Sequence, residues 1–331
     1  MKIKFATIGT SKITEKFLQA AVHCEDFCLY AVYSRDIKKA EAFAKKHGAV
    51  TYYDDLDALA ADESIDAVYI ASPNHLHCTQ AVRMMDAGKH VLCEKALASN
   101  ATEAEQMIRT AKEKNVVLME AMRSVHDPGF DQITGNIEKL GKIRRVTFRY
   151  CQYSSRYDNF KKGQPQNIFD RNCSAGALMD IGVYCAYPMI QLFGEPVSIS
   201  ASAIRLNGGI DGIGTIVATY GDMLAELIYS KITASDLPSE IQGEEGRMMI
   251  WSITDPRRLE IQYYHGENEL IEIPGAENNM QYEIPRFIGA VQGKTDVSGY
   301  LRTSKQTLKL MDEARRQTGI VFPADSAGGP R

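Results

Sequence analysis

Five short stretches of this sequence carry the side chains that a group-transfer site needs. The first is the turn Gly9-Thr10-Ser11-Lys12-Ile13, which follows an apolar run. A glycine after a first strand permits a tight turn and lets backbone approach a pyrophosphate at the start of the next helix. Only one of the usual three glycines is present; Ser11 and Thr14 occupy the other two places. Both are small, and their hydroxyls can donate to phosphate oxygens. The second stretch, Ser34-Arg35 with Lys39 close behind, lies roughly 25 residues further on. An acidic residue there would bind a ribose 2′-hydroxyl, whereas a hydroxyl and a guanidinium suit a 2′-phosphate. The expected cofactor is therefore NADP(H), with NAD(H) as the second choice. A generic glycine turn and a solvated arginine would leave the same residues, but the position after the first strand of a βαβ unit favours the cofactor reading.

The remaining stretches are Ser72-Pro73-Asn74 with His77, then Glu94-Lys95, and lastly Asp180 with Tyr184 four residues on. Taken singly they are unremarkable. A lysine at a strand end is usually solvated, an Asn-His loop is usually turn chemistry, and an acid near a helix start favours the dipole. Their interest lies in the elements that would position them.

Over the first 120 residues, short apolar runs alternate with helical patterns. Strands are expected at 3–8, 27–33, 51–53, 67–71, 90–93 and 116–119. Helices are expected at 14–23, 37–47, 56–61, 79–87 and 101–114. Alternation of this kind builds a doubly wound parallel sheet whose ligand crevice lies beyond the carboxyl ends of the strands. The second half reads differently. A helix at 127–140, a strand at 143–153 and a helix at 177–193 are followed by strands at 198–206, 215–220, 224–229, 247–253, 259–264 and 269–273. Turn residues between these strands predict an antiparallel meander, and helices at 278–292 and 303–316 close the chain. The fold class is α/β: an N-terminal Rossmann domain (1–121) and a C-terminal α+β domain (122–323) on a largely antiparallel open sheet. Residues 324–331 have nothing to bury and read as a loose tail.

The 331 residues include 38 Lys plus Arg against 42 Asp plus Glu, a net charge of −4. That balance provides no basic field for nucleic acid. Hydrophobic residues make up 44% and charged residues 24%, as in ordinary globular chains. The opening residues lack a secretory pattern, and no uninterrupted apolar run reaches the ~18 residues needed to cross a bilayer. The seven cysteines are scattered without the paired spacing of a zinc site, so no metal is expected. Reduced thiols point to the cytoplasm.

The motifs together are specific. The Gly9 turn, Ser72-Pro73-Asn74-x-x-His77, Glu94-Lys95, Ala175-Gly-Ala-Leu-Met-Asp180-Ile-Gly-Val-Tyr184 and Gln317-x-Gly319-Ile-x-Phe-Pro323 resemble the glucose–fructose oxidoreductase / inositol dehydrogenase (Gfo/Idh/MocA) family over the whole chain. Tyr184, where inositol dehydrogenase-like members have His, is similar to the dihydrodiol and xylose dehydrogenase branch. The family's Glu-Lys-Pro is here Glu94-Lys95-Ala96, which removes a fixed φ and restores an N–H. The resemblance implies hydride transfer between nicotinamide C4 and a secondary alcohol or carbonyl of a sugar, polyol or dihydrodiol. It implies Lys95, Tyr184 and Asp180 as catalytic residues, with either Lys95 or Tyr184 as the proton donor. The cofactor set is then Gly9, Thr10, Ser11, Lys12, Ile13, Ser34, Arg35, Lys39, Ser72, Pro73, Asn74, His77, Glu94 and Lys95. Arg123, Arg171 and Asn172 are candidate substrate contacts, along with His126. Tyr153, Tyr157 and Phe160 could form an aromatic wall, or simply core. A homodimer or homotetramer through the C-terminal sheet is expected. The competing reading from another class is a non-catalytic NADP(H)-binding sensor, since fold alone does not fix function.

Overall fold

Runs such as Ala67–Ile70 and His90–Glu94, apolar on both sides of the pleat, can be satisfied only in a sheet covered on both faces. The computed structural model, which describes residues 2–326, builds such a sheet. The elements in chain order are β1 (Ile3–Ile8), α1 (Lys12–Ala21), β2 (Phe27–Tyr33), α2 (Ile37–His47), β3 (Thr51–Tyr53) and α3 (Leu56–Ala61). They continue with β4 (Ala67–Ile70), α4 (His77–Asp86), β5 (His90–Glu94), α5 (Ala101–Lys114) and β6 (Leu118–Ala121). All pairings are parallel, in the order β3-β2-β1-β4-β5-β6. The strand order reverses between β1 and β4, and this topology opens its crevice at their carboxyl ends.

The second half contains α6 (Pro128–Asn136), β7 (Ile143–Cys151), α7 (Tyr157–Lys161), α8 (Val183–Phe193), β8 (Ser198–Leu206), β9 (Ile210–Thr219) and β10 (Leu224–Ser230). It goes on with β11 (Ser239–Gly243), β12 (Gly246–Trp251), β13 (Arg258–Tyr263) and β14 (Glu269–Glu272), and two helices follow, α9 (Glu283–Val291) and α10 (Ser298–Thr318). The eight strands run β14-β13-β12-β11-β7-β10-β9-β8. Every pairing is antiparallel except β7 with β10, which is parallel. The meander expectation holds for β8–β10 and for β11–β14 and is corrected between them, where β7 joins the two ladders. It also missed β11, whose alternating Ser-Glu-Ile-Gln-Gly is too short and polar to stand out.

The chain divides into two compact units, Met1–Met122 with Ala276–Lys305, and Arg123–Gly275 with Gln306–Arg331. The segment 276–305, read from sequence as part of the second domain, therefore belongs with the first. The reason is apolar: Met280, Ile284, Phe287 and Ile288 share one buried cluster with Phe5, Phe17 and Tyr69. Phe287 lies 5.7 Å from Phe5, centroid to centroid, and Phe17 stacks on Tyr69 at 3.7 Å.

The closing segment is also corrected. Asp325 accepts from Arg315 at 2.6 and 3.1 Å, and Arg315 is 3% exposed in its side chain, so residues 324–326 are held. Residues 327–331 of the expected tail lie outside the described residues. Gln317 pairs through its side-chain amide with both Ala201 N–H and Ile199 C=O, satisfying the edge of β8. The stretch Arg171–Phe193 is long and apolar enough, by length and composition, to cross a membrane. In its most apolar window, however, 89% is buried inside the structure, which is how a core helix behaves.

Truncating Phe287 to Ala removes an aromatic ring that is wholly buried. Urea unfolding should show a loss of about 3–5 kcal/mol, whereas Val22→Ala, at a 77% exposed site, should change stability by less than about 0.5 kcal/mol.

Candidate active site

The cofactor half is built at the carboxyl ends of β1, β2, β4 and β5. Gly9 has φ +115, and a Cβ there would lie 2.9 Å from the carbonyl oxygen of Ala71, so no other residue fits between β1 and β4. Helix α1 begins immediately after. Its N-cap Ser11 makes no side-chain cap hydrogen bond, whereas Asp36, Asp55 and Asn100 cap α2, α3 and α5. The first N–H groups of α1 are thus left for an anion. Ser11 and Lys12 are exposed beside them, with Thr10 and Ile13 half-buried. Thr14 corrects one expectation. It is fully buried, so its hydroxyl cannot reach a phosphate, and it takes the packing role of the third glycine.

At the end of β2, Asp36 is the acid that could have gripped a ribose. Its carboxylate instead accepts from Lys38 and Lys39 N–H at 3.1 and 3.3 Å, capping α2. Arg35 is exposed and makes no hydrogen bond or ion pair among the described residues. Lys39 sits 3.8 Å from Asp36 at the surface. Half-buried Ser34 accepts from Asp36 N–H at 3.3 Å. These residues fit a 2′-phosphate better than a 2′-hydroxyl.

Lys95 is the half-buried member of an otherwise buried turn, 94–100. Two acids and an imidazole hold that turn. Glu94 accepts from the Tyr69 hydroxyl at 2.6 Å and from Lys95 N–H at 3.2 Å. Glu120, at the end of β6, accepts from Leu97 N–H at 2.8 Å. His77 is wholly buried, with ring nitrogens 3.0 Å from the Ala96 carbonyl and 2.8 Å from the Ser72 carbonyl. Burial lowers its pKa against the pull of these backbone contacts. His77 therefore braces the Ser72-Pro73-Asn74 loop against the lysine turn. Ser72 also donates to Gln80 at 2.6 Å, and Pro73 and Asn74 are half-buried beside it.

The second unit presents Asp180 and Tyr184. The helix expected from residue 177 begins instead with a π-helical turn, Leu178–Gly182, before α8. The wider turn changes the spacing that would put residues four apart on one face. Buried Asp211 on β9 accepts from Leu178 N–H at 2.7 Å and anchors the turn. Gly176, φ +124, leaves room for that carboxylate; a Cβ would lie 2.2 Å from it. Burial pushes the Asp211 carboxyl up to about 6, against the pull of backbone N–H donors. Asp180 accepts from Lys231, which is 6% exposed. Arg123 Nε donates to Tyr184 Oη at 3.4 Å, and its guanidinium lies 5.4 Å from that ring centroid. Tyr150 of β7 meets Tyr184 edge-on at 5.8 Å.

Other candidates are placed elsewhere. Arg171 and Asn172 lie in an exposed turn capped by Asp170, and neither hydrogen-bonds Asp180 or Tyr184. Half-buried Tyr157 and Phe160 pack against buried Phe169 in a small cluster, with exposed Tyr153 at its margin. His126 is buried, next to an Asp127 that takes two hydrogen bonds from Arg257 at 2.8 and 2.7 Å. Sequence reasoning missed Glu120, Asp211 and Lys231. Each stands alone in a strand or at its end, and only an ionisable residue inside an apolar run could have flagged it.

Burial raises the Glu120 carboxyl to about 7; Ser304 and Leu97 N–H oppose the shift, Glu94 adds to it and Lys95 opposes it. A folded pKa above the unfolded value means the contribution to stability is fully present below about 4.5 and is lost as pH rises through about 7. Glu120→Gln keeps an acceptor for Leu97 without the charge. At pH 8 it should be more stable than wild type by about 3 kcal/mol, the gap closing towards pH 4.5, as urea unfolding across that range would measure.

Comparison with known proteins agrees with this construction. Residues 3–122 match the Gfo/Idh/MocA oxidoreductase family, NAD-binding Rossmann fold, and residues 137–249 match the Gfo/Idh/MocA C-terminal domain. The chain is 48% identical over 327 residues to scyllo-inositol 2-dehydrogenase (NADP(+)) IolU of Bacillus subtilis (strain 168), covering 98% of this chain and 100% of that one. It is 29% identical over 343 residues to trans-1,2-dihydrobenzene-1,2-diol dehydrogenase of Danio rerio, covering 98% and 100%. Among solved structures, the 3-ketoreductase KijD10 of Actinomadura kijaniata, in complex with NADP and TDP-benzene, has a similar fold. Its TM-score is 0.87 at 23% identity, covering 96% of this chain and 98% of that one. With a relative of that identity spanning nearly its full length, and both family domains matched in order, the chain belongs to the Gfo/Idh/MocA family of oxidoreductases.

Proposed function

We propose that the protein is an NADP(H)-dependent dehydrogenase acting on a secondary alcohol of a cyclic polyol, or on the corresponding ketone. The observation that carries the cofactor half is the end of β2, where the acid is occupied in capping α2 and an arginine stands exposed. The polyol half rests on the inositol-acting relative, 48% identical over nearly the whole chain.

When bound, the nicotinamide supplies the hydride acceptor or donor at its C4. Gly9 through Ile13 would hold the pyrophosphate, and Ser34, Arg35 and Lys39 the 2′-phosphate. The Ser72–Asn74 loop and the Glu94-Lys95 step, braced by His77, would border the nicotinamide end. The family motifs imply that Lys95 or Tyr184 exchanges the proton of the reacting oxygen. A cationic Lys95 favours the negative charge that develops on that oxygen during oxidation. Asp180 accepts hydrogen bonds from hydroxyls beside the reacting carbon, and Arg123 fixes the Tyr184 phenol.

Along β9 buried side chains alternate with half-buried or exposed ones, and β8 alternates exposed with half-buried ones, which supports a second copy of the chain on the open face of the sheet. Cysteines that form no disulfide among the described residues support a cytoplasmic location.

Mixing the protein with NADP⁺ and scyllo- or myo-inositol, while following absorbance of the reduced cofactor, tests the reading. Saturable cofactor binding with no turnover on any polyol would favour the sensor alternative. Lys95→Ala should lower kcat by roughly 10²–10⁴-fold while the NADP⁺ Kd stays within about threefold; equal loss of both would contradict the assigned role. Wild-type protein should bind NADP(H) at least tenfold more tightly than NAD(H), about 1.4 kcal/mol. Arg35→Ala should erase most of that gap in a fluorescence titration.

A further inference from the structure

Lys231 is an ammonium buried at the end of β10, and neither the sequence pattern nor the family motifs single it out. The residue is 6% exposed, and its backbone is fixed on both sides: its N–H donates to Gly212 at 2.9 Å and its carbonyl accepts from Ser154 N–H at 2.9 Å. Its side chain donates to Asp180 Oδ2, while the Asp180 side chain remains 29% exposed. The pair is thus layered, the cation inside and the carboxylate at the opening. A buried ammonium that served only packing would be an expensive substitute for an apolar residue. We propose that Lys231 is a positioning residue for the reaction, holding Asp180 as an oriented carboxylate so that it accepts, and never donates, hydrogen bonds to substrate hydroxyls. This rests on the functional reading above, in which Asp180 binds the polyol.

The elements packed against the π-helical turn are β7, β9, β10 and α8. Their ionisable groups are Arg144, Arg145, Arg149, Tyr150 and Cys151 on β7, Asp211 on β9, Glu226 and Tyr229 on β10, and Tyr184, Cys185 and Tyr187 on α8. Tyr229 is held neutral by burial, as are the thiols of Cys151 and Cys185. Asp211 is turned to the N–H of Leu178. Lys231 is the cation in direct contact with Asp180 Oδ2. Removing it takes the cation away from a partly desolvated carboxylate, and burial then favours protonation.

The test uses Lys231→Met and Lys231→Arg in the full-length protein, with thermal melts confirming that each variant folds. In ¹³Cγ-aspartate NMR titrations, with Asp180→Asn and Asp211→Asn assigning the signals, Lys231→Met should make Asp180 bind its proton at least ~10-fold more tightly. Lys231→Arg should restore most of the wild-type behaviour. In steady-state assays with NADP⁺ and scyllo-inositol, Lys231→Met should raise the polyol KM at least ~10-fold, with the acid limb of the kcat/KM profile moving up in step. The NADP⁺ Kd should stay within about twofold. An Asp180 titration that does not move overturns the proposal, as does a pH profile unchanged in shape despite lost activity, since a purely structural lysine would give that result. A wild-type chain with no polyol turnover would sink the functional reading instead; the NMR titration would still decide whether Lys231 sets the charge of Asp180.

Discussion

A carboxylate or ammonium withdrawn from water must find hydrogen-bond partners, and that requirement shapes the candidate residues' surroundings in each unit. In the first unit, Glu94 and Glu120 are buried at adjacent strand ends and take donors from Tyr69 and from the backbone of the lysine turn. The turn that carries Lys95 is therefore set by acids behind it as much as by its own residues. In the second unit, Asp211 anchors the start of the π-helical turn and Lys231 fixes the acid at its middle. The lysine turn and Asp180 are each held by a buried ionisable group that is itself satisfied by a hydroxyl, by backbone or by an ion pair. Such supporting groups cost more to leave unpartnered than they contribute when paired, so the local geometry is narrowly specified.

Much of this was legible in the sequence. The alternation of apolar runs and helical periods in the first 121 residues specified the parallel sheet, because strands buried on both faces leave a dense apolar signature. Gly9, Arg35 and Lys95 were legible because their positions at strand ends follow from that topology. The cofactor reading also survived the loss of two glycines, since a degenerate fingerprint after a first strand still meets an uncapped helix. What failed was non-local. Nothing local shows that 276–305 belongs with the first unit, because the reason is the contact of Phe287 with Phe5, more than 270 residues away in sequence.

The same limit governed the site. Asp180 and Tyr184 were visible as a motif, but the four-residue spacing suggested a regular helix. The π-helical turn at Leu178–Gly182 depends on Asp211, which lies 33 residues downstream in a strand. Lys231 was hidden for a related reason. It ends an apolar strand, where a lysine ordinarily reaches solvent, and only the fold shows it turned inward onto Asp180. Arg171 and Asn172 erred in the opposite direction: polar residues close in sequence to the motif are drawn off into an exposed turn of their own, with Asp170 as its cap.

The pattern of support also bears on how specificity could change. Residues proposed to select the cofactor sit on the first unit, at the ends of β1 and β2, and their partners are local: Asp36 caps the helix that follows it. Residues proposed to meet the substrate hydroxyls sit on the second unit, and their partners come from distant strands, Asp211 on β9 and Lys231 after β10. Cofactor preference can therefore shift by exchange of one exposed side chain without disturbing a buried pair. Altering the acid at Asp180 cannot, because its ion-pair partner would be left as an unpaired buried ammonium. Variation in substrate is accordingly expected from side chains around the pair, such as Tyr150 and Arg123, which touch Tyr184 without carrying the buried charge.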